Sequence, residues 1–429
     1  MVVTSESVLS VQKQACPECG EEIVAVKGYI PWCQGCNWNL NPLHKAKNPT
    51  LFERYYLKIG NFAGEKLLQS VMTEPMSKPT SLGVVFAYLI AGAVHLTSVV
   101  ILFCGIWLAI AGWGNFFFMA AALLCLIVAW VTRPRIGKMP KDIVSRTEFP
   151  TLYRIVDEIS EKMGAKKVDG ITIDFAYNAA FGSYGLSRKN VIHLGVPLIS
   201  VLKPEEFVAL LGHELGHGVN GDSTRGVFVG TAIRTLMEWR YFIKPDQILE
   251  RNGSLVELAM VPINLLLLLL SKGIEGIVFV LAHLLWQNKQ RAEYLADSLA
   301  VQVGGLQAKL ALLEKLHLEH IFAFAMQRIL TGGAIGSAAE EIRSQFGQIP
   351  ASEIERVRRM EQSADVRLDS THPPTAYRIQ YLKSRGDTAA AYQISTEDQM
   401  LLEKEWRHLE EKTETKFIRY YRDHSYLLY

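Results

Sequence analysis

The chain has 429 residues, enough for two or three domains, and 45 Lys and Arg against 43 Asp and Glu give a formal net charge of +2. That balance offers no reason to expect nucleic acid or an acidic substrate as a partner. Hydrophobic residues reach 49% and charged residues only 21%, and residues 79–132 contain no Asp, Glu, Lys or Arg, a run that a soluble core rarely holds and longer than the roughly 20 residues that cross a bilayer.

The first forty residues are polar and hold cysteines, so no cleavable signal peptide is expected and the N-terminus should stay where it is made. Cys16-Pro-Glu-Cys19 and Cys33-Gln-Gly-Cys36 are two Cys-x-x-Cys knuckles flanking a short segment with Val24, Val26, Tyr29 and Ile30. Four thiolates in this order match a closed tetrahedral zinc site, so residues 1–45 are expected to form a zinc ribbon. The competing disulfide reading needs an oxidising compartment. A closed site leaves no position for substrate, so this module should serve folding and the binding of a protein partner. Residues 46–80 read as a polar juxtamembrane linker and an amphipathic helix over about 51–72, with Tyr55, Tyr56, Ile59, Phe62, Leu67 and Leu68 available for the membrane surface or for the rest of the protein.

Residues 81–132 read as a transmembrane hairpin, with spans over 82–110 and 116–131 joined by an uncharged turn. Lys78 precedes it and Arg133, Arg135, Lys138 and Lys141 follow, which places both ends in the cytoplasm. His95, Cys104 and Cys125 read as packing residues within it. From Arg146 the chain reads as globular. A helix over 150–163 closed by Gly164 is followed by a strand over 170–176, then Asn178-Ala-Ala-Phe-Gly182, a glycine-containing turn and a strand over 190–194, beside which His193 should pack. An edge strand of such a sheet can pair with an extended peptide through its backbone.

Residues 203–222 read as one helix. Pro204 suits its first position, Glu205 and Glu206 its positive end, and Phe207, Val208, Leu210 and Leu211 its apolar face. Its middle is His213-Glu214-Leu215-Gly216-His217. Histidines four apart hold their rings roughly 5–6 Å apart on one face, a separation that lets both reach one zinc at about 2.0–2.1 Å. Glu214 can take a proton from an attacking water and pass it to a leaving amine. Only three residues define this pattern, so a half-buried helix with packed histidines stays open until a third ligand is found.

Residues 226–286 hold two apolar segments that separate the first catalytic part, 133–225, from the second, 287–383. Ligands on either side of these segments must face one compartment, so the crossings between them must be even in number. Two crossings over 226–243 and 255–286, a fold-back near 271–276 and a buried helical pair all meet this condition, and Arg234, Lys272, Glu275 and Pro262 argue against ordinary spans.

A third histidine six residues after His217 would fall on Ser223, which excludes the metzincin arrangement. Glu293 and Asp297 lie four apart, so Glu293 can bind zinc while Asp297 accepts the outer N–H of a ligand histidine. His317 and His320 are a rival pair on an apolar helix with no obvious supporting partners. Helices are expected over 305–330 and 338–362. Residues 384–429 should form one or two amphipathic helices whose stripe of Leu402, Trp406, Leu409, Phe417, Tyr420 and Tyr421 packs within the protein.

Together these residues resemble the HtpX and CAAX-prenyl-protease family of membrane gluzincin metallopeptidases. The resemblance spans roughly 79–383 and rests on the membrane hairpin, Asn178-Ala179, His213-Glu214-x-x-His217 with Asp222, Arg291-x-Glu293-Tyr-x-Ala-Asp297 and His372-Pro-Pro-Thr-x-x-Arg378-Ile. Ala180 and Gly182 follow the family's strand only loosely, and the ribbon and the tail from Ser384 lie outside it. It implies zinc on His213, His217 and Glu293, Glu214 as general base, Asp297 behind the ligands and a membrane-associated insertion over 226–286, for which two crossings are expected. It also implies Asn178 on the substrate backbone, with His372 and Arg378 supporting the oxyanion. The expected fold is mainly α with a small β-sheet, an integral-membrane gluzincin metallopeptidase plus an N-terminal zinc-ribbon module. The expected function is a zinc endopeptidase of the cell inner or plasma membrane, its active site and N-terminus cytoplasmic, cutting membrane or misfolded proteins at the bilayer. Its cofactors would be one catalytic and one structural zinc. Processing of prenylated peptide ends and a non-catalytic zinc-ribbon adaptor are the alternatives.

Overall fold

The computed structural model of the chain describes residues 11–42, 51–73, 82–134, 137–185, 187–220, 222–243, 255–368, 370 and 372–424. Lys78, Arg135 and the linker residues 43–50 fall outside these residues, as does the side chain of Asp222. In chain order the elements are β1 (Val11–Ala15), β2 (Glu22–Val26), α1 (Leu51–Thr73), α2 (Leu82–Ala111), α3 (Phe116–Val131), α4 (Pro150–Lys162), β3 (Gly170–Asp174), β4 (Ala179–Tyr184), β5 (Lys189–Gly195), the single turn α5 (Val196–Ile199) and α6 (Pro204–Asn220). They continue with α7 (Asp222–Ile243), α8 (Leu255–Gly304), α9 (Leu306–Leu316), α10 (Glu319–Leu330), α11 (Ala338–Gly347), α12 (Ala351–Gln362), α13 (Thr375–Ser384) and α14 (Thr396–Asp423). The fold is mainly helical with two small sheets, an antiparallel β1–β2 hairpin and a three-stranded sheet of order β3-β5-β4. In the latter, β3 runs parallel and β4 antiparallel to β5.

The helix carrying the histidines begins where Pro204 needs no hydrogen-bond acceptor, and Glu206 turns back to accept from the Lys203 N–H at 2.7 Å. From Glu206 to Gly216 it is buried along nearly its whole circumference. The core around it joins Leu152 and Ile155 of α4, Ile192 and Leu194 of β5, Phe322 and Met326 of α10, and Leu402, Leu409 and Phe417 of α14. Two carboxylates of α14 satisfy N-terminal amides of other helices, which would otherwise be unpaired. Glu405 accepts from Thr151 and Leu152 at 2.7 and 3.0 Å, and Glu414 from Ala338 at 2.7 Å.

Three helices depart from the expected pattern. The stretch 305–330 is two helices, broken where Leu318 buries itself with Ile321 and Val357. The stretch 338–362 is broken at Pro350, whose ring cannot continue α11 and instead precedes α12. The apolar face of α1 divides: Leu67, Leu68 and Val71 pack with Trp286, Tyr294 and Tyr381, whereas Tyr55, Ile59 and Phe62 stay exposed.

Two helices among the described residues, α2 and the part of α8 from Val261, are long and apolar enough to cross a membrane; α3 is shorter, at 16 residues. Close approach of α2 and α3 depends on small residues, since a Cβ on Gly105 would lie 3.1 Å from that of Cys125. The charge-bearing α7 is not among those two, but it runs antiparallel to α8. Asn220, just before it, bonds the Ala292 carbonyl, while Arg240 at its far end pairs with Glu275. Ala232 and Leu236 of α7 pack with Ala87 and Ala91 of α2 and Leu281 of α8. The α7–α8 pair therefore leaves α6 and returns to it. Helix α8, which contains Pro262, passes unbroken through residue 286, so one continuous helix of 50 residues joins the apolar insertion to the segment carrying Glu293.

Candidate metal centre and cleft

Helices α6 and α8 cross on small residues. A Cβ on Gly216 would stand 3.0 Å from the Ala296 Cα, one on Gly212 3.1 Å from the Ala300 Cα, and one on Gly304 2.9 Å from the Ala209 Cα. With nothing larger between them the backbones nearly touch, and the side chains beside this seam converge. His213 Nε2 lies 3.6 Å from Glu293 Oε2 and His217 Nε2 3.6 Å from Glu293 Oε1, with all three donor atoms within 4.8 Å of one another. Bonds of about 2.0–2.1 Å in a tetrahedron give ligand edges of about 3.4 Å, so two imidazoles and a carboxylate at this spacing fit a zinc ion.

Asp297 is wholly buried behind His213, its Oδ1 3.0 Å from the His213 Nδ1. Arg378, from α13, grips Asp297 with two bonds of 2.7 Å, and the Lys309 ammonium, from α9, lies 2.9 Å from Asp297 Oδ1. Burial by itself would raise the Asp297 carboxyl, but the charges of Arg378 and Lys309 and the hydrogen bonds from Arg378 and His213 hold it well below the usual range. Burial pulls Lys309 down, with the Asp297 charge opposing. His372 is 57% exposed at the rim, its Nδ1 2.7 Å from Glu293 Oε2.

A cleft of about 920 Å³ opens over these groups. Residues 176–181 form one wall, His213, Glu214 and His217 the floor, and Ser370, His372, Pro373 and Pro374 the opposite wall. Since β4 is an edge strand, its Ala179–Phe181 segment lies along the cleft beside Glu214. Asn178 lines the same wall just before β4, its carbonyl accepting from Gly195 N–H at 3.0 Å. Arg378 is only 5% exposed and directs its guanidinium to Asp297. His317 bonds Thr375 and approaches Glu361, and His320 pairs with Glu353, so this pair stands outside the cluster of His213, His217 and Glu293. His193 sits between Thr172 and the Tyr184 hydroxyl. The sequence reading missed Lys309 altogether. It also missed the seam, although Gly212 and Gly216, like Ala296 and Ala300, are small residues spaced by four.

The N-terminal cysteines form a second cluster. Cys16 Sγ lies 3.6 Å from Cys36 Sγ and Cys19 Sγ 3.5 Å from Cys33 Sγ, close to the edges of about 3.8 Å in a zinc–thiolate tetrahedron and far from a disulfide of about 2.05 Å. All four atoms lie within 4.8 Å of one another. This module docks on α12. Trp32 Nε1 donates to the Ser352 carbonyl at 3.0 Å, Arg356 donates to the Leu40 carbonyl at 2.8 Å, and Arg359 donates to the Gln34 carbonyl and to Asn37 Oδ1.

Comparison with known proteins adds to this geometry. Residues 147–386 match peptidase family M48, a span from just before α4 to just past α13 that includes His213, His217 and Glu293 but not the cysteine module. A protease HtpX homolog of Pyrobaculum calidifontis is 24% identical over 240 residues, covering 54% of this chain and 67% of that protein. A protease HtpX homolog of Halobacterium salinarum is 28% identical over 261 residues, or 59% and 83% of the two chains. The protease HtpX of Pseudomonas putida strain GB-1 is 25% identical over 214 residues, or 47% and 68%. No solved structure matches.

Proposed function

Because this chain belongs to peptidase family M48 and is a membrane peptidase, we propose that it is a zinc-dependent endopeptidase whose reaction is carried by His213, His217, Glu293 and Glu214. The observation supporting this is the convergence of two imidazoles and one carboxylate at 3.6 Å spacings on the floor of a cleft that Glu214 also lines. Zinc held there supplies a Lewis acid for the water and the scissile carbonyl. Glu214 takes the proton of the attacking water on its carboxylate and delivers it to the leaving amide nitrogen. His372 reaches the site from the rim, its Nδ1 2.7 Å from Glu293 Oε2, and supports the oxygen that gains charge. Arg378 acts through Asp297: it holds the carboxylate that orients His213, and is a positioning residue.

Asn178 and the β4 edge take the backbone of an extended substrate across the cleft. The substrates are membrane or misfolded proteins presented near the bilayer, since α2 and α8 join the catalytic helices directly to an exposed apolar surface that includes Leu89, Phe103, Leu266 and Leu269. The positive charges of Arg133, Lys138 and Lys141 after the hairpin support a cytoplasmic active site and N-terminus. Cys16, Cys19, Cys33 and Cys36 hold a second, structural zinc, and the ribbon they organise is the part of the chain assigned to protein contacts. Elemental analysis of the purified chain tests the pair of sites. Two zinc ions per chain are expected, with cleavage lost on chelation and restored by zinc; a single ion would remove either the ribbon or the catalytic assignment.

A further inference from the structure

Lys309 has no part in the reaction just described, yet it is wholly buried against it. Its Nζ lies 2.9 Å from Asp297 Oδ1, the oxygen that also faces His213 Nδ1 at 3.0 Å and Arg378 at 2.7 Å. Burying an ammonium is expensive, and Asp297 has its pairing from Arg378 and His213 without it. An apolar side chain of the same length would fill the space at less cost, so packing does not account for a charge here.

Counting charges shows what the extra cation does. At the metal cluster itself, the base Glu214, the ligand Glu293 and the buried Asp297 bring three negative charges and Arg378 one positive, a balance that would neutralise a zinc dication. Lys309 leaves that balance one negative charge short. It also draws on the Asp297 oxygen that would otherwise strengthen His213 as a ligand. Both effects act in one direction. We propose that Lys309 is a positioning residue that acts through Asp297 to loosen the hold of His213, His217 and Glu293 on zinc, leaving the ion a stronger Lewis acid for peptide hydrolysis. This rests on the zinc reading above and goes beyond it in assigning the site a deliberately weakened grip.

Cobalt(II) titration of the purified full chain in detergent reads the two clusters separately, because thiolate ligation gives charge-transfer bands that histidine and carboxylate ligation lacks. Lys309→Met should bind cobalt about tenfold more tightly at the histidine–glutamate site, with ribbon binding unchanged. With zinc it should show a lower kcat and an unaltered KM. Lys309→Arg, which keeps the cation, should match the unmutated chain in affinity and kcat. A purely structural lysine predicts the opposite sign, since losing it would disorder Asp297 and weaken the metal. Equal or weaker binding by Lys309→Met therefore overturns the proposal. If that variant does not fold, Lys309→Gln carries the same expectation and the same refuting result. Failure of the unmutated chain to bind metal at the histidine–glutamate site would instead strike the zinc reading itself.

Discussion

Replacing Gly216 by alanine puts the α6–α8 seam to a quantitative test. In an ordinary helix the change is favourable by about 0.8–1.0 kcal/mol, because glycine loses more backbone freedom on folding. Here the new methyl would lie 3.0 Å from the Ala296 Cα and 3.3 Å from its Cβ, so the backbones must part by a few tenths of an ångström. Overpacking of this kind costs about 1–3 kcal/mol, which exceeds the propensity gain over most of its range. The displacement falls on the line joining His213 and His217 to Glu293, where donor atoms lie 3.6 Å apart. Metal retention should therefore suffer more than folding, by about tenfold, equivalent to 1.4 kcal/mol. Gly276→Ala is the control, since it lies on α8, the other helix of the seam, with nothing within 4 Å of the added methyl. Chelator competition and thermal unfolding in detergent would be compared for the two variants. Gly216→Ala should melt lower and lose metal more readily, with Gly276→Ala unchanged or slightly more stable. Indistinguishable behaviour of the two would refute the claim that close backbone approach builds the site.

Two other expectations concern the ribbon. Cys33→Ser should release one of the two zinc ions and speed hydrogen exchange across α12, because Trp32, Gln34 and Asn37 hold that helix through Ser352 and Arg359. Unchanged exchange would mean that docking does not depend on the metal. Acid should loosen the same contact over a defined range. Burial would raise Glu353, but Arg356 and His320 hold it below its ordinary value of about 4.3. A carboxyl lowered on folding contributes stability that is complete above its unfolded value and is lost as pH falls through its folded one. Protection of α12 against exchange, corrected for the intrinsic pH dependence of amide exchange, should thus be constant from pH 7 to 5 and fall only below about 4; a loss of protection near pH 6 would contradict this.

What could be read from the sequence was what depends on neighbours along the chain. His213 and His217 share a helix face because four residues make about one turn, and the uncharged stretch 79–132 reads as apolar helices because no charge interrupts it. Which distant group meets the histidines is a different kind of question. Glu293 and the pair His317 and His320 were comparable on spacing, and they are separated by the crossing of α6 and α8, which sets Glu293 against the histidines and turns His317 to Thr375. Direction is equally hidden. The spacing from His372 to Arg378 does not say that the arginine points inward to Asp297 while the histidine stays at the rim. Lys309 looks from sequence like one more helix surface residue, and its burial follows only from the packing of α9 on α6 and α8. Docking of the ribbon on α12 joins residues more than 300 positions apart, with no local pattern to announce it. Pro350 is a different case, a helix break that the ring signals locally but that the expected helix over 338–362 runs through.

The central claim is that Glu214 moves the proton in a zinc-dependent hydrolysis. Substituting Gln for Glu214 keeps the size and the hydrogen-bonding capacity of the side chain but removes its basicity. The purified Glu214→Gln chain, compared with the unmutated one for zinc content and for cleavage of an unfolded protein substrate, should keep two zinc ions and lose cleavage by at least about 100-fold. Cleavage within a few-fold of the unmutated chain, with zinc intact, would contradict the account.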